Sequence, residues 1–124
     1  MSHNVVRLLF GERPRIVAIT GSTKFEKEFR EAAEREVLEG NMVLTVHVFR
    51  HNNEWKDKLT EEDCLALDVL FSFYIAACEE LLVINKGGYI GEGTMRDIKK
   101  AYNSGKKIRY LEPDRAPLTL GDSM

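Results

Sequence analysis

The chain has 124 residues, which suits one domain and is too short for two ordinary ones. It is 44% hydrophobic and 31% charged with only three prolines, which excludes a disordered chain and supplies a core without disulfides or metal. Eighteen Lys and Arg against 20 Asp and Glu leave a net charge of −2. The basic surplus that a nucleic-acid polymer requires is missing, while a single nucleotide stays open as a ligand.

Residues 1–14 read as an N-terminal arm or an extra strand over 4–10. They lack the long apolar run and cleavage site of a signal peptide. Residues 15–20 (RIVAIT) are a β-branched run with strand character, ended by Gly21. Thr23 and Glu26 have capping-box spacing, and Phe25, Phe29, Ala32, Ala33 and Val37 then recur at helical spacing until Gly40 and Asn41. Residues 42–49 (MVLTVHVF) predict a second strand ending near His47, followed by a polar loop over 50–59. A second helix begins at 60–63 (TEED), whose acids suit its dipole, and runs to about Ala77. Residues 81–85 form a third strand, 86–93 a glycine-rich loop, 94–104 a third helix and 107–111 a fourth strand.

Alternating strands and helices predict an α/β core over 15–112, followed by a tail over 113–124. The expected architecture is a flavodoxin-like or Rossmann-like parallel sheet of four to five strands with helices on both faces. Ligands of such sheets bind beyond the carboxyl ends of the strands. Cys64 and Cys78 fall on the second helix, where a separation of 14 residues spans about 21 Å, beyond disulfide reach. Both are expected to be reduced, buried and apolar in role, which suits a cytoplasmic location. No stretch reaches the ~20 apolar residues of a membrane span. From Val69 to Cys78 the only polar side chains are Ser72 and the Tyr74 hydroxyl. A helix apolar all round needs a second buried face, so helix 61–77 is expected to pair with another copy in a homodimer or higher oligomer. Cover by the chain termini is the alternative.

The segment 87–94 (GGYIGEGT) holds four glycines, which permit close backbone approach to a ligand. The helix that follows offers free N–H groups to a phosphate, a carboxylate or a ribose hydroxyl. Gly88, Tyr89, Gly91, Gly93 and Thr94 are the candidate binding residues there. The P-loop lysine is missing, and Arg96 stands at the third position of a GxGxxG, so a triphosphatase and a dinucleotide-binding dehydrogenase are both disfavoured. Asp97 shares a helix face with Gly93 and can look back into the loop, although a first-turn acid also suits the helix dipole. Glu92 is placed to pair with Arg96 at i, i+4. Gly21, Ser22 and Thr23 offer hydroxyls and N–H groups at the end of the first strand, with helix capping by Thr23 as the plainer role. His47, at the end of the second strand, is either structural or part of the site. No metal-ligand spacing and no hydrolase triad order stands out, and no cofactor is expected.

Residues 15–25 (RIVAITGSTKF), 42–49 (MVLTVHVF) and 81–112 (LLVINKGGYIGEGTMRDIKKAYNSGKKIRYLE) together resemble the nucleoside 2-deoxyribosyltransferase-like proteins. The third segment is the most specific. The resemblance implies a flavodoxin-like, usually oligomeric protein that cleaves or transfers at the N-glycosidic bond of a nucleoside or nucleoside 5′-monophosphate. It also implies a carboxylate nucleophile on the helix after the glycine-rich loop. The family uses glutamate there; the matching position here is Asp97, one methylene shorter. Some members place a tyrosine on the first strand, where Ala18, Ile19 and Thr20 stand here. An acid on the helix before the third strand is expected to be missing near Phe71 or Ala76. Two other functions fit the same residues: a nucleotide-binding sensor without turnover, and a nucleotide phosphoribohydrolase of the lysine-decarboxylase-like type.

Overall fold

A computed structural model describes residues 3–117. A short helix α1 (His3–Leu9) precedes β1 (Ile16–Gly21), α2 (Glu26–Leu38), β2 (Met42–Leu44), α3 (Glu61–Ala77), β3 (Glu80–Ile84), α4 (Glu92–Asn103) and β4 (Lys107–Tyr110). The four strands form one parallel sheet in the order β2-β1-β3-β4. The architecture is therefore an α/β, flavodoxin-like or Rossmann-like parallel sheet.

The side-chain period of two splits β1 between two cores. Val17 and Ile19 face α2 with Phe29, Ala32, Phe49, Leu82 and Ile84. Ala18 faces α3 and α4 with Ile75, Cys78, Leu81, Val83, Ile98 and Ala101. Every residue of β3 is buried, as expected for a central parallel strand covered on both faces. β1 and β3 approach closely at their carboxyl ends: a Cβ at Gly21 would lie 2.8 Å from both Cβ and O of Ile84. Only glycine fits at that position.

Several expectations need correction. Residues 3–9 form a helix, not a strand; Asn4 Nδ2 donates to the Leu38 carbonyl and holds it against the end of α2. β2 stops at Leu44, well short of Phe49. Only Met42, Val43 and Leu44 pair with β1, and the chain then leaves the sheet so that Phe49 can bury edge-on against Phe29. His47 thus lies in a loop and not at a strand end. α4 begins at Glu92, two residues earlier than the sequence suggests, with Gly91 as its N-cap. Cys78 is buried, whereas Cys64 is only partly so; both are free thiols. The tail expected over 113–124 begins with a 3-10 turn, Pro113–Arg115, and residues 118–124 lie outside the described residues. No helix among the described residues is long and apolar enough to cross a membrane.

Candidate functional site

The strand order reverses direction between β1 and β3. β1 leads leftward through α2 to β2, and the chain then crosses back through α3 to β3. Their carboxyl ends frame a crevice at this switch point, the usual ligand position in open α/β sheets. A cleft of about 640 Å³ opens there. That volume falls in the range that holds small-molecule ligands.

Each side of the cleft has a sequence origin. Gly21, Ser22 and Thr23 leave β1 and line its floor. Ser22, not Thr23, is the N-cap here, and it caps a 3-10 turn (Thr23–Phe25) that precedes α2; its Oγ accepts from Lys24 N. The Thr23 hydroxyl is instead hydrogen-bonded to Nδ1 of His51. His47 and Thr45 enter from the segment after β2, and the buried Thr45 hydroxyl oxygen has no hydrogen-bond partner. α3 contributes an apolar wall that includes Leu67, Phe71 and Tyr74. Tyr89, Gly91, Gly93 and Thr94 line the opposite side, and Asp97 follows one turn along α4.

Gly88 is placed elsewhere. It has positive φ, and a Cβ on it would meet the Arg115 side chain. The preceding N–H, of Gly87, is already taken by the Glu112 carboxylate at 2.7 Å. The first half of the glycine-rich loop is thus filled by the protein's own acid, and its second half, 89–94, faces the cleft. Two contacts fasten this loop to the one after β1. Tyr89 meets Phe25 edge-on, and Lys24 Nζ lies 3.5 Å above the Tyr89 ring.

Asp97 is the most unusual ionisable group of the cleft. Burial pushes its carboxyl above the ordinary aspartate range. A hydrogen bond from Thr20 and the charges of Lys100 and Arg96 oppose that shift, and Asp68 adds to it. Thr20 Oγ1 donates to Asp97 Oδ2 at 2.7 Å. Glu92 and Arg96 form no ion pair among the described residues. Arg96 instead lies beside Gly93, with Nη2 3.7 Å from where a Cβ would stand.

Asp68, Arg50, Thr20 and Lys100 are cleft residues that the sequence did not single out. Arg50 Nη2 donates to Asp68 Oδ1 at 2.8 Å and also to the Cys64 carbonyl. Lys100 Nζ donates to Ser72 Oγ at 3.0 Å. The nearest acid to Phe71 on α3 is therefore Asp68, one turn earlier; Phe71 and Ala76 themselves carry none. Its signal was available: Asp68 is a single acid between the apolar residues Leu67 and Val69. Nothing local signals Arg50, whose partner is 18 residues away.

No group of three or more His, Cys, Asp or Glu side chains among the described residues is arranged to hold a metal ion. No protein-family model, no curated protein and no solved structure matches the chain.

Proposed function

We propose that this chain cleaves or transfers at the N-glycosidic bond of a nucleoside or a nucleoside 5′-monophosphate, with Asp97 as the nucleophile. The observation that carries the reading is the position of Asp97: a half-buried carboxylate opening into a cleft at the sheet's switch point, one helical turn from Gly93. The family resemblance supports the choice of bond.

In this reading, a lone pair of the Asp97 carboxylate forms a bond to the anomeric carbon. The carbon–nitrogen bond breaks, and its electron pair leaves with the base, which takes a proton from water. The glycosyl ester is then opened by water, which gives up a proton to solvent, or by a second base. Gly91, Gly93, Thr94, Ser22 and Thr23 bind sugar or phosphate through N–H and hydroxyl groups. Arg96, without a carboxylate partner among the described residues, adds positive charge there. Phe71 and Tyr74, in edge contact with ring centroids 5.5 Å apart, give the base an apolar surface.

α3 supports the oligomer. Only Ile75 of its 17 residues is buried, while Leu65, Val69, Leu70 and Phe73 are exposed. A second copy covering this face, as a homodimer or larger homo-oligomer, would place more protein beside the Leu67–Phe71 wall of the cleft.

The second reading is a nucleotide binder without turnover, favoured by the aspartate in place of the longer glutamate. Base release from deoxynucleosides and their 5′-monophosphates, followed by chromatography, separates the two. Release that is lost in Asp97→Asn supports the enzyme. Release that survives this substitution removes Asp97 from the nucleophile's role, and tight calorimetric binding without release supports the binder.

A further inference from the structure

β1 turns Ala18 and Thr20 toward α3 and α4, and Thr20 is 2% exposed. The Thr20 backbone belongs to the β1–β3 ladder opposite Val83. Its hydroxyl is therefore available for a side-chain partner, and that partner is Asp97 Oδ2 at 2.7 Å. Oδ1 has no hydrogen bond to another described residue. The two oxygens of one carboxylate are thus unequal: one is anchored to the central sheet, and the other opens to the cleft.

We propose that Thr20 is a positioning residue for Asp97: it fixes Oδ2 and leaves Oδ1 as the oxygen that attacks the anomeric carbon. This inference rests on the N-glycosidic reading above. The attacking Oδ1 pair becomes the C–O bond of the ester, and Oδ2 becomes the ester carbonyl, still accepting from Thr20. When water opens the ester, the pair returns to Oδ1. A carboxylate on a short side chain has little reach to correct a poor angle. A misplacement of about 1 Å can cost on the order of 100-fold in rate.

The hydroxyl also stabilises the ionised form, which is the reactive one. The other ionisable groups lining the cleft are Arg96 and Lys100 on α4, Asp68 and Tyr74 on α3, Arg50, His47 and His51 from the segment after β2, and Tyr89 from the glycine-rich loop. Only the bond to β1 is removed by changing Thr20. Its loss raises the pKa of Asp97, so the acidic limb of the kcat profile moves to higher pH.

The experiment compares wild type, Thr20→Ser and Thr20→Val, with Thr20→Ala as a second hydroxyl deletion if the valine variant does not fold. The Asp97 carboxyl is titrated by carbon-13 NMR without substrate, and base release is measured against pH. Thr20→Val is expected to titrate at higher pH and to lose about 10–100-fold in kcat with little change in KM. Thr20→Ser is expected to restore both. A hydroxyl-deleted protein that titrates like wild type overturns the proposal, whether or not base is released. A raised titration that serine reverses, in a protein that releases no base, counts against the N-glycosidic reading and against an attacking Oδ1 together.

Discussion

Asn85 and Glu112 hold each other twice: Asn85 Nδ2 donates to the Glu112 carbonyl at 3.0 Å, and Glu112 N donates to Asn85 Oδ1 at 2.8 Å. Asn85 is fully buried at the end of β3. The pair ties the start of the glycine-rich loop to the chain after β4, and the Glu112 carboxylate completes the tie at Gly87 N. Asn85→Ala leaves the N–H and carbonyl of half-buried Glu112 without these partners, at about 1–3 kcal/mol each. Urea denaturation is expected to show a loss of about 2–4 kcal/mol, with faster amide exchange at Gly87 and Gly88. A loss below about 0.5 kcal/mol contradicts this role.

At the opposite end of the sheet, Arg109 joins two buried acids. Its Nη2 donates to Glu36 Oε1 at 2.6 Å, and its Nε to Glu80 Oε1 at 3.1 Å. Arg109→Met leaves both carboxylates without this cation and is expected to cost about 3–5 kcal/mol. Burial pushes the Glu80 carboxyl upward, but the Arg15 hydrogen bond and the charges of Arg109, Arg15 and Lys107 outweigh it, so the net shift is downward. A folded pKa below the unfolded one gives stability that is complete above the unfolded value, about 4.3, and is lost as pH falls through the folded value. Denaturation midpoints measured from pH 7 to pH 3 are expected to fall less steeply in Glu80→Gln than in wild type.

Asp97 has the opposite sign. Its folded pKa is raised by burial, so the folded protein binds more protons than the unfolded one between the two pKa values. This contribution is complete below the unfolded aspartate value and is lost as pH rises through the folded one. Asp97→Asn keeps an oxygen that can accept from Thr20 and removes the charge. It is expected to raise the unfolding midpoint at pH 7 and to show a smaller gain at pH 3, while base release falls on the order of 10⁴-fold. A midpoint lowered at pH 7 would show that the carboxylate contributes structure and not strain.

The exposed face of α3 gives a prediction about assembly. Leu65, Val69 and Phe73 lie at i, i+4 spacing and are 64%, 50% and 69% exposed. Wild-type protein is expected to sediment as a dimer or larger oligomer at micromolar concentration, and Phe73→Glu as a monomer with unchanged secondary structure. A monomeric wild type removes the self-association argument.

Much of the frame was legible because its causes are local. Thr60 and Asp63 form the capping box that starts α3, with hydrogen bonds of 3.0 Å in both directions. The apolar runs of β1 and β3 locate the central strands. The edge was less legible: residues 42–49 read as one strand, yet pairing ends at Leu44 and Phe49 packs against Phe29, a tertiary contact that no local pattern marks. α1 has β-branched residues and no buried residue, so neither a strand nor a helix period was legible in it; one hydrogen bond, Asn4 to Leu38, ties it to α2. In the site, the chain-local residues Ser22, Thr23, Gly91, Gly93, Thr94 and Asp97 were found by their place after strands. Thr20–Asp97 and Arg50–Asp68 were not, because each pair is made by tertiary packing between distant segments. Gly88 illustrates the converse: glycine permits a ligand's approach, but here it supplies the positive φ of a turn outside the cleft.

The most direct test of an attacking Asp97 is to trap the ester. The protein is incubated with a 2-fluoro-2-deoxy nucleoside and with its 5′-monophosphate, then digested and analysed by mass spectrometry. The expected result is one equivalent of free base, and a fluorosugar mass on the peptide that contains Asp97, absent in Asp97→Asn. Base released from natural deoxynucleosides with the fluorosugar bound to a different residue, or no base released from any nucleoside or nucleotide, would contradict the account.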